Sequence, residues 1–341
     1  MFAALLDRLQ RREDLTAGEA AAAMAAIMDG RATPAQVAGL LVGLRMKGEC
    51  PDEVVGFARA MRERSVRLSK PYPDAFDTCG TGGDGGGTFN VSTLVALVLA
   101  AAGVTVAKHG NRSVSSRCGS ADLLSALGVN VGASPAVVER CLDRAGIAFL
   151  FAPTFHPSMR HAAEPRRDLG IRTAFNLLGP LTNPAGVRRQ LVGVPRPELT
   201  ELVARALAAL GSERAWVVHG ADGIDEISTR GYTKVSECQD GFVRTFYVHP
   251  ADVGVAKANW DDLAGGDAAE NAAIATRILA GDRSPRRDIV VLNAGVALLV
   301  AGRAATVREG MAQAAGALDS GAAADVLQRL VRESNAAEDA A

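Results

Sequence analysis

The chain has 341 residues, of which 48% are hydrophobic, so it can form about two domains with substantial cores and is not a disordered polymer. Its 37 Lys and Arg residues are balanced by 38 Asp and Glu residues, which leaves no overall field for binding nucleic acid or an anionic membrane. The five cysteines are an odd number without a CxxC pair. They argue against a disulfide framework and a zinc site, and favour a reducing compartment.

Neither a membrane span nor a cleavable signal is predicted. The longest apolar run, residues 91–106, is interrupted by serine, threonine and glycine and is shorter than the roughly 20 residues that a membrane helix needs. The N-terminal segment contains acidic residues and late arginines, unlike a secretory signal. We therefore expect a soluble protein of the cytoplasm.

Helical patterns dominate residues 1–70. A capping box at Thr16 opens an Ala-rich helix, a second helix begins after Thr33, and a third begins after Cys50, with apolar residues at helical spacing. Short helices in succession predict a small antiparallel bundle. The Pro-Tyr-Pro sequence at 71–73 ends the helical pattern and indicates a linker.

Strands and helices alternate beyond the linker. The strands are predicted at 75–78, 104–108, 147–151 and 215–219, with helices at 91–102 and 121–127 among the intervening segments, and residues 268–333 return to helices. This alternation predicts an α/β domain with a mainly parallel sheet over residues 71–341. Ligands of such sheets bind at the carboxyl ends of the strands, so the loops after the strands should carry the chemistry.

The first such loop is rich in glycine. Six of the eight residues 80–87 are glycine, and the loop leads into a helix beginning with Asn90, Val91, Ser92 and Thr93. Glycines leave backbone N–H groups free to face a ligand, and a helix N-terminus attracts anions, so the loop favours phosphate binding. It is neither a Walker A loop nor a dinucleotide fingerprint. The alternative is a flexible surface turn.

The next two loops carry charge. Residues 108–120 combine one lysine and two arginines with several serines, which suits phosphate oxygens, although a solvated loop is the alternative. Residues 219–228 place Asp225 and Glu226 after a buried strand, where carboxylate oxygens suit Mg²⁺, although a polar turn is the alternative. Together the loops predict a site for a polyphosphorylated ligand with Mg²⁺.

A catalytic nucleophile is not evident in the sequence. Cys79 lies in the glycine-rich loop, but no histidine or acidic residue lies at a spacing that would indicate a catalytic partner for its thiol. We therefore interpret Cys79 as structural. His156 and His161 are placed on a predicted helix, where a spacing of five residues is wrong for a shared metal face.

Four long motifs in order resemble the anthranilate phosphoribosyltransferase family. They are DTCGTGGDGGGTFNVST at 77–93, KHGNRSVSSRCGSADLLSALGV at 108–129, HPSMRHAAEPRRDLGIRTAFNLLGPLTNPA at 156–185 and GIDEIS at 223–228. The resemblance covers nearly the whole chain. It implies transfer of the phosphoribosyl group of 5-phosphoribosyl 1-pyrophosphate (PRPP) to the amine of anthranilate, with release of pyrophosphate, in tryptophan biosynthesis.

The resemblance also implies an architecture. It is a small helical domain at 1–70 joined to a larger α/β domain at 71–341 of the nucleoside phosphorylase and phosphoribosyltransferase type. The segment at about 165–190 contributes to the hinge between them, and a homodimer assembles through the helical domain.

Individual residues match the family's binding positions. Those expected to bind PRPP are Gly80, Gly83, Asp84, Thr88, Asn90, Val91, Ser92, Thr93, Lys108, His109, Gly110, Asn111, Arg112, Ser113, Val114, Ser115, Ser116 and Ser120. Those expected to bind Mg²⁺ are Ser92, Asp225 and Glu226. Anthranilate is expected to contact Gly80, Asn111 and Arg166, with Arg166 pairing its carboxylate and His109, Gly179 and Pro180 lining the aromatic pocket. Pro165, directly before Arg166, is not expected from the resemblance.

Two other functions remain as alternatives. One is a pyrimidine-nucleoside phosphorylase on a related fold, whose loops resemble these only loosely. The other is a non-enzymatic nucleic-acid-binding relative, which would need a basic groove, whereas this chain has a net charge of −1.

Overall fold

The N-terminal part of the chain consists of four helices. The computed structural model describes residues 1–83, 87–113 and 117–337. Its first helices are α1 (Phe2–Gln10), α2 (Ala17–Met28), α3 (Pro34–Lys47) and α4 (Pro51–Glu63). The predicted capping box is confirmed, since Thr16 accepts a hydrogen bond from the backbone N–H of Glu19 and the Glu19 carboxylate accepts one from Thr16. All three helices predicted in this region are therefore present, and α1 precedes them.

Small residues allow close packing between α2 and α4. A Cβ atom on Gly56 would lie 2.2 Å from the carbonyl oxygen of Ala17, so only glycine permits this approach. The buried Glu53 joins the loops around this contact, accepting hydrogen bonds from the backbone N–H groups of Leu15 and Cys50, both at 2.9 Å. Its charge is balanced by the ammonium of Lys47 at 3.1 Å.

The rest of the chain is built around one seven-stranded sheet. Its strands are β1 (Phe76–Asp77), β2 (Val106–Gly110), β3 (Ile147–Phe151), β4 (Arg189–Gly193), β5 (Arg214–Gly220), β6 (Thr233–Gln239) and β7 (Phe242–Val248). The spatial order is β3-β2-β1-β4-β5-β6-β7, with β1 to β5 parallel and β6 and β7 antiparallel to their neighbours. The predicted α/β class with a mainly parallel sheet is confirmed.

Helices cover both faces of the sheet. They are α5 (Val91–Ala101), α6 (Ser120–Ala126), α7 (Pro135–Ala145), α8 (Ala152–Phe155), α9 (Arg160–Leu169), α10 (Leu199–Ala209), α11 (Trp260–Leu263), α12 (Ala268–Leu279), α13 (Pro285–Val300), α14 (Val307–Asp319) and α15 (Ala322–Asn335). Along β5, Ala215 and Val217 pack into one core while Trp216 and Val218 pack into the other. The alternation of side chains along a strand thus feeds two cores.

One of these cores connects the N-terminal helices to the sheet. Residues of α1 to α4 share it with α10 and with the short 3-10 helices Ala174–Leu177 and Gly179–Leu181. The domain boundary near residue 70 stays a prediction. In the described parts of the chain, none of the helices has the length and apolar character that crossing a membrane requires.

Several sequence-based boundaries need correction. The strands β4, β6 and β7 were not predicted, and β2 begins two residues later than predicted. The edge strand β7 is largely exposed, so it lacks the apolar run that marked the buried strands. His156 does not lie in an α-helix but directly follows α8, whereas His161 lies within α9.

The order of the strands locates the functional region. β1 lies between β2 and β4, so the chain winds in opposite directions on its two sides. In open α/β sheets, ligands bind at the carboxyl ends of the strands beside such a reversal. The loops after β1 and β4 meet there: the N–H of Thr81 donates to the carbonyl of Gly193 at 2.9 Å.

Candidate active site

A cavity of about 630 Å³ opens at the carboxyl ends of the parallel strands. The predicted residues that line it are Gly80, Gly83, Thr88, Asn90, Val91, Ser92, Lys108, His109, Gly110, Asn111, Arg112, Ser113, Ser120, Arg166, Gly179, Asp225 and Glu226. Thr93 and Pro180 are buried without lining it. Asp84, Val114, Ser115 and Ser116 lie outside the described residues. The fold therefore brings together segments that are up to about 150 positions apart in sequence.

Lys108 lies on the floor of this cavity. It belongs to β2 and is buried, and its Nζ donates to the carbonyl oxygen of Thr78 at 3.2 Å, to Thr78 Oγ1 at 3.0 Å and to Ser92 Oγ at 3.4 Å. Thr78 Oγ1 in turn donates to the carbonyl of Ser92 at 3.0 Å. The ammonium thus joins the end of β1 to the N-terminus of α5 and places a positive charge beneath the glycine-rich loop.

Asp77 supports the cavity from below. Its carboxylate accepts hydrogen bonds from the N–H of His109 at 3.1 Å and from Asn183 Nδ2 at 2.7 Å. Burial raises the pKa of Asp77 to about 6, and the nearby charge of Lys108 opposes that rise. These hydrogen bonds fix the positions of β1, β2 and the loop that carries Asn183 relative to one another. The network was not predicted from the sequence.

Two neutral histidines form one wall. The rings of His109 and His156 lie 5.2 Å apart, and His109 Nδ1 lies 2.9 Å from the carbonyl of Gly179. Burial lowers the pKa of His109 to about 3, assisted by His156, and burial lowers the pKa of His156 to about 4. Among the described residues, neither Nε2 atom has a hydrogen-bond partner. Both imidazoles are therefore uncharged at neutral pH.

This buried set predicts that acid destabilises the fold. The folded-state pKa values of both histidines lie below their ordinary value of 6.5, so the unfolded chain binds protons that the folded protein excludes. The pKa of Asp77 is raised in the folded protein, so its carboxylate takes up a proton in the folded state before it does so in the unfolded chain. Protonation of Asp77 therefore offsets part of the destabilisation caused by the two histidines. We expect a net fall of about 2 kcal/mol in the free energy of unfolding between pH 7 and pH 5, measured by urea denaturation.

The exposed His161 provides the control for this prediction. His161→Gln should retain the same pH dependence, because its side chain is outside the buried set. The imidazole ¹⁵N resonances of His109 and His156, which report protonation of the ring itself, should keep the values of neutral rings down to pH 5 while Asp77 titrates. A midpoint near 6.5 for either ring would contradict the assignment.

The glycine-rich loop contacts the carboxylate loop closely. A Cβ atom on Gly193 would lie 1.7 Å from the carbonyl oxygen of Asp225, and a Cβ on Gly80 would lie 3.3 Å from Asp225 Oδ2. Glycine at these positions lets the loops after β1, β4 and β5 converge. The Asp225 carboxylate consequently lies directly beside Gly80, at the start of the glycine-rich loop.

Asn90 joins the glycine-rich loop after β1 to the loop after β2, and we call these two loops, both predicted to bind phosphate, the phosphate-type loops. Its Nδ2 donates to the carbonyl of Cys118 at 3.1 Å, and its Oδ1 accepts from Asn271 Nδ2 at 3.0 Å. Asn271, on α12, is itself held by the N–H of Gly266 at 2.8 Å. The Asn90 side chain therefore serves as a cross-link between loops, a role that the sequence analysis did not separate from ligand contact.

Asp122 organises the second loop. One of its carboxylate oxygens accepts from the N–H groups of Ser113 at 3.1 Å and Gly119 at 2.9 Å, and the other pairs with Arg112 at 2.8 Å. These contacts, with the charge of Arg112, lower the pKa of Asp122 against the opposing effect of burial. The loop keeps its curvature around this acid at the start of α6.

Arg166 lies at the far wall of the cavity. It is in the last turn of α9, and its guanidinium carbon lies 5.0 Å from the centre of the Phe175 ring. Burial lowers the pKa of Arg166, which shows a cation partly withdrawn from water. Pro165 is accommodated inside α9, which continues to Leu169. A carboxylate on an aromatic ring could pair with this cation beside an aromatic wall.

Arg172 is a lining residue that sequence analysis missed. Its Nη2 donates to the carbonyl of Thr81 at 2.9 Å, and a Cβ on Gly83 would overlap its guanidinium. It lies within the quoted motif at 156–185, but nothing in its spacing distinguishes it from neighbouring arginines such as Arg167.

Asp225, Glu226 and Ser92 provide oxygen donors, which Mg²⁺ prefers. Both carboxylates line the cavity, with Asp225 beside Gly80, and Ser92 Oγ is near Lys108. Two carboxylates suit an ion that keeps water and binds substrate phosphates. Within the described residues, the one cluster of three potential ligands comprises Asp14, Cys50 and Glu53, where Lys47 already provides the positive charge.

The environment of Cys79 supports its interpretation as structural. The thiol is buried, and burial together with the negative charge of Asp77 raises its pKa. Its Sγ contacts the carbonyl of Gly80 at 3.5 Å. A protonated thiol in this position is a poor nucleophile.

Comparison with known proteins identifies the family. Residues 3–65 match the helical bundle domain of a glycosyl transferase family, and residues 72–324 match the a/b domain of that family. The anthranilate phosphoribosyltransferase of Moorella thermoacetica is 57% identical over 97% of this chain and 98% of its own length. The chain belongs to the anthranilate phosphoribosyltransferase family. The resemblance noted in the sequence motifs is thereby confirmed.

Solved structures of the anthranilate phosphoribosyltransferase family share the fold. The enzyme of Thermus thermophilus is 46% identical with a TM-score of 0.91, over 97% of this chain and 99% of that one. The enzyme of Saccharomyces cerevisiae in complex with PRPP and Mg is 29% identical with a TM-score of 0.86, over 97% of this chain and 98% of that one. The similarity therefore includes both the helical and the α/β parts.

Proposed function

We propose that this protein transfers the 5-phosphoribosyl group of PRPP to the amine of anthranilate, giving N-(5-phosphoribosyl)anthranilate and pyrophosphate in tryptophan biosynthesis. The observation that carries the proposal is a single cavity in which a glycine-rich loop, two carboxylates and the half-buried Arg166 face one another. A phosphate-binding part and a carboxylate-binding part in one cavity match the two substrates. The family relatives favour this reaction over nucleoside phosphorolysis or nucleic-acid binding.

PRPP is assigned to the phosphate-type loops. The backbone N–H groups after β1, the N-terminus of α5 and the Lys108 ammonium provide positive potential for its phosphates. Asp225 and Glu226, with Ser92, are assigned to Mg²⁺, and the solved structure of the yeast relative in complex with PRPP and Mg supports the use of this metal. Bound Mg²⁺ would stabilise negative charge on the departing pyrophosphate.

Anthranilate is assigned to the wall formed by Arg166. The guanidinium pairs with the carboxylate, while Gly179 and the neutral ring of His109 border the aromatic ring. This orientation presents the amine towards the glycine-rich loop. Asn111 and Gly80, which also line the cavity, are assigned to contact anthranilate.

The transfer forms a bond between the amine nitrogen and C1 of the ribose and breaks the bond from C1 to the pyrophosphate oxygen. The amine loses one proton to solvent. Because an arylamine is a neutral nucleophile, positioning it behind C1 in line with the leaving group can provide much of the acceleration. Backbone N–H groups and Lys108 stabilise the growing negative charge. Closure of the cavity would keep water from C1.

We further propose that the protein acts as a homodimer in the cytoplasm. The tryptophan-biosynthetic reaction uses phosphorylated intermediates, which suits that compartment. The presence of five free cysteines fits a reducing environment. Sedimentation equilibrium of the purified protein tests the dimer.

The test of the proposed reaction follows anthranilate fluorescence with PRPP and Mg²⁺, omitting each component in turn. We expect a decay that requires all components, with one pyrophosphate released per anthranilate consumed. Pyrophosphate release without loss of anthranilate would indicate hydrolysis of PRPP instead. Lack of decay with folded protein and ample Mg²⁺ would overturn the assignment, and nucleoside phosphorolysis would be assayed next.

A further inference from the structure

Arg172 connects two parts of the cavity that are assigned to different substrates. Its Nη2 donates to the carbonyl of Thr81 at 2.9 Å. Its guanidinium lies directly against Gly83, where a Cβ would come within 1.6 Å of Nη1. Gly83 has a φ of +80°, a backbone conformation that favours glycine, and a side chain at this position would displace the Arg172 guanidinium.

The segment carrying Arg172 also carries the acceptor-binding residues. Arg166 precedes it on α9, and Phe175 follows it in the 3-10 helix Ala174–Leu177. Arg166 and Phe175 are in cation–π contact, which joins two residues that lie on either side of Arg172 in sequence. The N–H of Thr173 donates to Asn176 Oδ1 at 2.9 Å, which fixes the backbone directly after Arg172.

The glycine-rich loop is held from two sides. The N–H of Thr81 donates to the carbonyl of Gly193 on β4, and the carbonyl of Thr81 accepts from Arg172. The first contact anchors the loop to the sheet, whereas the second anchors it to the segment at 166–175. The Arg172 contact therefore links the glycine-rich loop to the segment of the chain that carries Arg166 and Phe175.

We propose that Arg172 is a positioning residue that couples the two substrate sites, so that occupation of the glycine-rich loop tightens binding of the aromatic carboxylate. This inference rests on the proposed function. Coupling between sites is reciprocal, so anthranilate must tighten phosphate binding by the same factor.

The coupling is measured with ligands that do not react together. Anthranilate affinity is determined by fluorescence with and without Mg²⁺-pyrophosphate, which occupies the phosphate loops but provides no ribose. We expect about a 10-fold tightening in the wild-type protein. Arg172→Ala should bring the ratio close to one, and Arg172→Lys should restore only part of it, because lysine lacks the planar fork.

Arg167→Ala is the matched control, since it removes an exposed arginine from the same segment. It should keep the wild-type ratio. A wild-type protein that consumes anthranilate but shows no tightening, or an Arg172→Ala variant that keeps it, would overturn the coupling. Failure of the turnover assay itself would instead overturn the proposed function, so the two failures are distinguishable.

Two glycine substitutions test the contact itself. Gly82 has a φ of +60° with nothing within 4 Å of its Cβ position, whereas Gly83 has positive φ and the Arg172 contact. Both Gly82→Ala and Gly83→Ala introduce backbone strain. Only Gly83→Ala should bring the ratio of anthranilate affinities with and without Mg²⁺-pyrophosphate close to one. In the Arg172→Ala background, Gly83→Ala should weaken pyrophosphate binding less than in the wild type. Equal losses in both backgrounds would refute the contact.

Discussion

The double variant Asp225→Asn, Glu226→Gln is expected to lose about 100-fold or more in kcat/KM at moderate Mg²⁺ concentration, because metal stabilisation of a leaving group is worth several kcal/mol. Both residues line the cavity, and Asp225 Oδ2 faces Gly80. Amides of the same size keep the shape but remove the two negative charges that we propose hold Mg²⁺. Steady-state rates over a Mg²⁺ titration measure the effect.

The control for this variant changes the charge by the same amount elsewhere. Asp7→Asn with Glu201→Gln removes two exposed carboxylates distant from the cavity. It should keep wild-type kinetics over the same titration. Wild-type rates of Asp225→Asn, Glu226→Gln at low Mg²⁺ would reject the metal assignment.

Arg166→Ala is expected to raise the KM for anthranilate by about 10- to 100-fold, the range for loss of a charge-assisted hydrogen bond at a partly buried site. The guanidinium is withdrawn from water and lies against Phe175, so water cannot replace it well. The KM for PRPP should change by less than about threefold, because the phosphate-type loops remain intact. Initial rates with each substrate varied in turn separate the two constants.

Two further variants sharpen this result. Arg166→Lys keeps the charge but not the fork, and should fall between wild type and Arg166→Ala. Arg167→Ala removes an exposed neighbour that pairs with Asp168 at 3.4 Å, and should resemble the wild type. Loss of PRPP binding with anthranilate binding retained would mean that the segment containing Arg166 has been assigned to the wrong substrate.

Local features of the fold were predictable from the sequence. Thr16 and Glu19 form the expected capping box, and the strand Ile147–Phe151 has the predicted bounds. These features depend on residues within one turn of a helix or on one continuous apolar run. In contrast, β7 is an exposed edge strand whose residues show no continuous apolar run, so it was missed.

The predicted binding loops illustrate a similar limit. Glycine density and the lysine at 108 indicated phosphate chemistry without any structure. The cross-link from Asn90 to Asn271 spans 181 positions, and the hydrogen bond from Asn183 to Asp77 spans 106. Sequence patterns of period two or three and a half do not report contacts of such separation.

The sequence by itself determined the α/β class, the helical N-terminal region, the family and the residue types suited to phosphate, magnesium and a carboxylate. Only the tertiary structure decided that these residues face one cavity, that Arg172 rather than Arg167 contacts the glycine-rich loop, and that His109 and His156 are neutral. The physical reason is that the type of each side chain, and so the ligand it suits, can be read from the sequence. Which side chains lie close together, and which are withdrawn from water, depends on strand order and on packing between distant segments.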